Sequence, residues 1–354
     1  MKKINIFKIV FKFVKFIHGA LEKPCKLFTG TSNKLKRELK SINRISKILY
    51  KKKELQFNIP LENIEETSIT TKDGIKISIS LCRINDGNKW VIMNHWFTGH
   101  KYWMYIWGKP YMAMGYNILT YDLRDHGKSD SVKEMTLGIA ESRDLEEIID
   151  FLNNRVKDAY IGLFGVSLGA FIINNIGNDT QLIKNKNIKW GISDVGYISL
   201  NSLLVHLLSN RMIKIAKRKK DKLIESFFNY QKYLTGIGFE EYDSLDKFQY
   251  PVFPFRYTHA ITDNTTCPLD SLKFFLKRQC PQDEITIYKK GVHAFSQRGN
   301  YYSIVADNMK FVAKIEGENN QLKEAYKIMN VNKNSGFKNK KTIDIKGSEI
   351  TFKK

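Results

Sequence analysis

The chain has 354 residues, 42% of them apolar and 12% aromatic, enough to bury a substantial core, which excludes wholesale disorder. Its formal net charge of +22 favours anionic partners such as lipid headgroups or nucleic acid. The four cysteines, Cys25, Cys82, Cys267 and Cys280, form no C-x-x-C pair, which argues against a disulfide framework or a zinc site and fits a reducing compartment.

Much of the positive charge sits at the start. Residues 1–55 hold 16 Lys and Arg against three Glu. Within residues 4–17, Lys8, Lys12 and Lys15 fall on one face of a helix and Phe, Ile and Val cover the rest. The lysines interrupt the apolar core that a signal peptide needs. A spanning helix needs roughly 20 apolar residues and loses about 3 kcal/mol for each central Lys. The pattern therefore suits a helix lying in the interface of an anionic membrane surface; a true span and a helix packed on its own domain stay open. The interfacial reading puts the chain in the cytoplasm, peripheral to the inner face of the membrane, with an N-terminal anchor as the alternative. The aromatics form an apolar stripe and do not alternate with a basic groove, which argues against nucleic acid as a partner. Residues 31–55 continue as a Lys/Arg-rich helical linker.

The folded body is expected from about residue 56 to residue 315. Glu65–Thr71 and Ile75–Leu81 read as strands joined around Asp73-Gly74, a hairpin signal. Strands follow at Trp90–Asn94, Tyr116–Tyr121, Ala159–Phe164, Lys189–Ser193, Val252–Thr258 and Glu284–Lys289. Helical patterns occupy Tyr102–Gly115 (irregular near Pro110), Thr136–Asn154, Leu168–Ile176 and Tyr301–Lys314. This alternation calls for the α/β class, with a mostly parallel central sheet flanked by helices. Residues 200–250 loosen into helical, partly basic sequence and read as a cap insertion over the strand ends. Residues 316–354 read as a polar, basic, loosely ordered tail.

Gly165-Val166-Ser167-Leu168-Gly169 is a G-x-S-x-G pattern between a strand and a helix. A serine on so sharp a turn projects its hydroxyl off the sheet, and small neighbours let the backbones crowd together. The following helix aims N–H groups and a positive dipole end at the same spot. Its hydroxyl becomes a nucleophile only when an imidazole takes its proton and a carboxylate orients that imidazole. Among seven histidines, His293 sits between the last strand and the last helix of the body, where it can reach back over the sheet. His95, His100, His126 and His259, at strand ends or just after them, suit structural hydrogen bonding, and His206 falls in the cap. Asp263 follows another strand, and Asp194 is the rival acid.

These segments, "WVIMNHWFTGH", "GYNILTYDLRDHGKS", "IGLFGVSLGA", "ISDVGY", "ITDNTTCP" and "GVHAFS", resemble the α/β-hydrolase superfamily over about residues 60–315, in particular its bacterial esterase/lipase-like and serine-aminopeptidase-like branch. The chain order Ser167, Asp263, His293 is the order of that fold. The resemblance implies Ser167 as nucleophile, His293 as base then acid, Asp263 as orienting carboxylate, and the backbone N–H groups of Phe97 and Leu168 as oxyanion hole. Two positions depart from it: Trp96 stands where relatives have Gly after the first His, and Asp125 where many have Gly. A bulky Trp96 could displace the loop that presents Phe97. The implied reaction is hydrolysis of carboxylic, acyl- or lipid-type esters through an acyl-enzyme, with a small-molecule ester as substrate and neither cofactor nor metal. The alternatives are a serine peptidase and a membrane-associated binding module of little turnover on the same fold.

Overall fold

The computed structural model describes residues 32–210, 217–244, 253–278, 280–295, 297–331, 340–345 and 348–353. The amphipathic stretch 4–17 lies outside the described residues. A hairpin of β1 (Ile64–Thr70) and β2 (Lys76–Cys82) opens the sheet, followed by β3 (Lys89–Asn94), β4 (Asn117–Tyr121), β5 (Tyr160–Val166) and β6 (Ile188–Asp194). The later strands are β7 (Phe255–Ala260), β8 (Glu284–Tyr288), β9 (Lys340–Ile345) and β10 (Ser348–Lys353). All ten share one sheet in the order β1-β2-β4-β3-β5-β6-β7-β8-β10-β9. From β4 across to β10 every neighbouring pair is parallel; β1, β2 and β9 are joined antiparallel.

Helices cover both faces. They are α1 (Ser32–Tyr50), α2 (Lys101–Ala113), α3 (Ile139–Arg155), α4 (Leu168–Ile176), α5 (Thr180–Asn185), α6 (Leu200–Asn210), α7 (Lys217–Thr235), α8 (Pro268–Arg278), α9 (Gln297–Glu316) and α10 (Asn320–Ile328). Alternate strand residues feed two separate cores, as the period of two in a strand requires. Trp90, Ile92, Ile161 and Leu163 pack with α3 and α4, whereas Val91, Met93, Phe164 and Val166 pack with α1, α2 and α9. In α3 the stripe Leu145, Ile148, Ile149, Leu152 is wholly buried, at the spacing of one helical face. Among the described residues no helix is long and apolar enough to cross a membrane.

Three expectations change. The stretch expected as a linker begins the body instead: Leu35, Leu39, Ile42 and Tyr50 of α1 are buried in the second core, and Asn43 exchanges two 2.6 Å hydrogen bonds with the backbone of Phe57. The expected loose tail holds α10, whose Leu322 and Ala325 are buried with Met329, and β10, which pairs in parallel with β8. Finally, α2 runs through Pro110 in its last turn without breaking. The residues expected as a cap supply α6 and α7 between β6 and β7. They are seated on the body: Phe227 and Phe228 join the first core, and Gln231 Nε2 donates to the Met135 carbonyl at 2.8 Å.

Candidate active site

The strand order reverses at β3, which has β4 on one side and β5 on the other. Loops leaving the carboxyl ends of such strands diverge and open a crevice at that point. Ser167 stands there, between β5 and α4, at φ 55° and ψ −111°. A non-glycine residue in this region is strained and persists only where its surroundings enforce it. Glycines on either side let the bend close. A Cβ on Gly165 would come within 2.3 Å of the Gly169 carbonyl oxygen, and one on Gly169 within 2.3 Å of that of Asn94. The Ser167 N–H donates to the Asp194 carbonyl at 2.9 Å, tying the turn to β6.

His293, in the loop between β8 and α9, reaches back over the sheet. Its Nε2 lies 2.8 Å from Ser167 Oγ and its Nδ1 2.8 Å from Asp263 Oδ2. With Nδ1–H donating to the carboxylate, Nε2 is left to accept from the serine hydroxyl. Asp263, in the turn after β7, is held on both oxygens. The N–H groups of Thr265 and Thr266 donate to Oδ1 at 2.8 and 3.0 Å. Besides His293, Oδ2 has the Thr266 hydroxyl at 3.1 Å and His259 Nε2 at 3.4 Å. Burial pushes this carboxyl up, but hydrogen bonds from His259 and His293 and their nearby charge outweigh burial and hold it well below the usual carboxylate range. The site thus keeps a buried anion behind an imidazole that faces a hydroxyl.

Two of these supports were not legible as site residues. His259, read as a structural histidine, is fully buried and links Ser271 Oγ, 2.8 Å from its Nδ1, to the Asp263 carboxylate. Thr266 carried no sequence signal beyond its place three residues after Asp263. From α6, His206 Nε2 donates to the Asp263 carbonyl at 3.0 Å, so this helix touches the same turn. Asp194 is buried too, but its carboxylate accepts from the Thr258 hydroxyl on β7, and it is Asp263 that meets His293.

Across the crevice lies the loop after β3. His95 Nδ1 donates to the Trp96 carbonyl at 2.7 Å while its Nε2 accepts from Leu123 N at 3.0 Å. His126 Nε2 accepts from Thr98 N at 3.1 Å, and its Nδ1 donates to the Arg124 carbonyl at 3.0 Å. Two imidazoles therefore clamp the backbone on either side of Phe97. Trp96 turns into an aromatic cluster, 6.1 Å from Trp103, 6.5 Å from Trp107 and 5.9 Å from Phe295 between ring centroids. Its bulk is absorbed there. Leu168 opens α4, where an N–H has no acceptor within its own helix. Asp125 adopts φ 63°, a left-handed conformation that Asp tolerates better than most side chains. Among the described residues no group of three His, Cys, Asp or Glu side chains could hold a metal ion.

No protein-family model matches the chain, and no curated protein does either. Solved structures do. The esterase Pf2001 of Pyrococcus furiosus superposes with a TM-score of 0.56 at 20% identity, over 74% of this chain and 98% of its own. The α/β hydrolase GrgF from Penicillium sp. sh18 gives 0.53 at 17%, over 73% and 99%. A hyperthermophilic esterase from the archaeon Pyrobaculum calidifontis gives 0.52 at 15%, over 83% and 93%. The parallel sheet, the serine elbow after β5 and these superpositions together show that the chain has the α/β-hydrolase fold.

Proposed function

We propose that the protein is a serine hydrolase that cleaves carboxylic esters through an acyl-enzyme. The observation that carries this reading is the continuous relay from Ser167 Oγ through His293 to Asp263, with 2.8 Å at each step. In the proposed cycle, His293 Nε2 takes the hydroxyl proton as Ser167 Oγ attacks the ester carbonyl carbon. Asp263 stabilises the imidazolium that forms. Collapse of the tetrahedral intermediate breaks the bond to the alcohol oxygen, which receives the proton from His293. Water then repeats the sequence on the acyl-enzyme and releases the acid. The N–H groups of Phe97 and Leu168 are assigned to the developing oxyanion, where one lost donor typically costs about 100- to 1000-fold in turnover.

Phe295, two residues from His293 along its loop, joins Trp96 and Trp103 in an aromatic cluster, a surface suited to an apolar acyl chain. Together with the amphipathic stretch 4–17, it makes a membrane-derived acyl ester the leading substrate, ahead of a soluble short-chain ester and of a peptide bond, and a peripheral membrane position the leading location. A second reading, a membrane-associated binding module with little turnover, rests on the two departures from the family pattern, Trp96 beside Phe97 and Asp125. A fluorophosphonate probe separates the two. Wild type is expected to label covalently and Ser167→Ala to stay unlabelled, whereas folded wild type that does not label would sink the hydrolase reading. A series of p-nitrophenyl esters of graded chain length, with and without anionic vesicles, then ranks the substrates.

A further inference from the structure

On the flank of the body, away from the Ser167 elbow in sequence, α1 ends in a dense run of lysines. Lys51 takes the left-handed conformation, φ 52°, and its N–H caps the helix by donating to the Lys47 carbonyl at 3.1 Å. Glycine fills such a position without strain; here a lysine does. The turn folds the chain straight into a short 3-10 segment, Lys53–Leu55, so that side chains from the helix end and from the segment converge. They line a cavity of about 480 Å³ with Tyr302 of α9, a volume in the range of small-molecule sites. Four of the lining residues are lysines, Lys47, Lys51, Lys52 and Lys53.

The balance of charge in that cavity is one-sided. The single acid on its wall, Glu54, accepts a hydrogen bond from Asn330 Nδ2 at 3.1 Å. Among the described residues no carboxylate lies within ion-pair distance of the four lysines, although other surface lysines of this chain, such as Lys89 and Lys314, have one. Lys52 is held in place: its Nζ donates to the Tyr302 hydroxyl at 2.9 Å and stands 4.0 Å above that ring. Lys47, Lys51 and Lys53 are exposed around it. Like charges gathered around a concavity raise the local potential and concentrate counter-ions there.

We propose that this cavity is a binding site for a phosphate-bearing anion. A phosphate group carries up to two negative charges and several acceptor oxygens, so it can meet several ammonium groups at once, a role in which lysine serves as a point charge. A single carboxylate would leave most of the four uncompensated. The phosphate belongs either to a soluble phosphate ester or to a lipid headgroup, and the two sources are separable. The site does not depend on the hydrolase reading, since none of its residues takes part in the relay.

The test uses the full-length chain and two probes: inorganic pyrophosphate by titration calorimetry, and phosphatidylcholine vesicles with and without phosphatidic acid by co-sedimentation. Lys47→Gln/Lys51→Gln/Lys53→Gln is compared with Lys217→Gln/Lys219→Gln/Lys222→Gln on α7, which removes the same charge from another exposed surface; thermal melts confirm that both variants fold. Wild type is expected to bind at least one probe saturably. The first triple variant should bind it about tenfold or more weakly, and the second within about twofold of wild type. Pyrophosphate binding alone identifies a soluble ligand; vesicle binding that requires phosphatidic acid identifies a headgroup. Equal weakening in both variants, no weakening in either, or no saturable binding of either probe overturns the site.

Discussion

Two carboxylates stand at the carboxyl ends of adjacent parallel strands, Asp194 closing β6 and Asp263 just past β7. Both are buried, and both lie near the serine turn, one through its backbone carbonyl and one through His293. What separates them is the turn that follows. Asp194 is still within its strand and spends its carboxylate on Thr258 across the ladder. Asp263 sits three residues beyond β7, where the N–H groups of Thr265 and Thr266 anchor one oxygen and leave the other for an imidazole. A parallel sheet brings several acids to one rim; the local turn decides which of them can face a histidine.

That contrast can be broken most directly by exchanging each acid for its amide. Asp263→Asn is expected to lower turnover of a p-nitrophenyl ester about 10,000-fold, because the amide favours the wrong imidazole tautomer. Asp194→Asn keeps a partner for Thr258 and should stay within about tenfold of wild type. Comparable losses in the two variants would end the distinction. A smaller effect is expected behind the acid. His259→Phe removes one contact to Asp263 Oδ2 and should lower kcat about tenfold with KM unchanged, while His259→Gln recovers part of the loss. A change confined to thermal stability would leave His259 a packing residue.

The same carboxylate predicts an acid limb. Because the folded chain holds Asp263 well below its ordinary range, the unfolded chain binds that proton first as pH falls. The stabilisation from this group is complete above about pH 4 and is lost progressively below it. Thermal melts of wild type should therefore fall more steeply between pH 4 and pH 2 than those of Asp263→Asn. Parallel slopes would mean that the hydrogen bonds to His259 and His293 contribute no such preference.

The chemistry of this rim was more legible in the sequence than its scaffolding. Ser167, Asp263 and His293 each follow a strand, and side-chain type plus position made them candidates, with Asp194 still open as the rival acid until the distances to His293 separate the two. His259 and Thr266 were invisible in that role because a buried residue that steadies an acid carries no spacing signal of its own; only its place behind Asp263 defines it. The place of Trp96 could not be read from its own stretch, because its neighbours in the aromatic cluster are Trp103 and Trp107, on the helix that follows its loop, and Phe295, far along the chain. The ends were misread for a different reason. In α1 and α10 the buried stripes Leu35, Leu39, Ile42 and Leu322, Ala325 are thin, and the Lys and Asn around them dominate any average over composition. Periodicity within a basic segment is the better guide than its charge.

The smallest predicted effect tests the α1 interface that composition concealed. Glu38 is buried on α1, and among the described residues neither of its carboxylate oxygens has a hydrogen-bond partner. Burial pushes its carboxyl up; Lys128 and Lys101 pull it down, Asp122 and Glu66 push it up, and the balance raises it to about 7. The sign is opposite to that of Asp263. Between pH 4.5 and about 7 the folded chain keeps this proton and the unfolded chain has released it, so stability contributed here falls as pH rises through that window. Glu38→Gln, neutral throughout, should melt a few degrees above wild type at pH 8 and converge with it near pH 5. A difference that does not vary with pH would show that Glu38 is ionised at its site in the folded chain, and that α1 docks with a charge already compensated by Lys101 and Lys128.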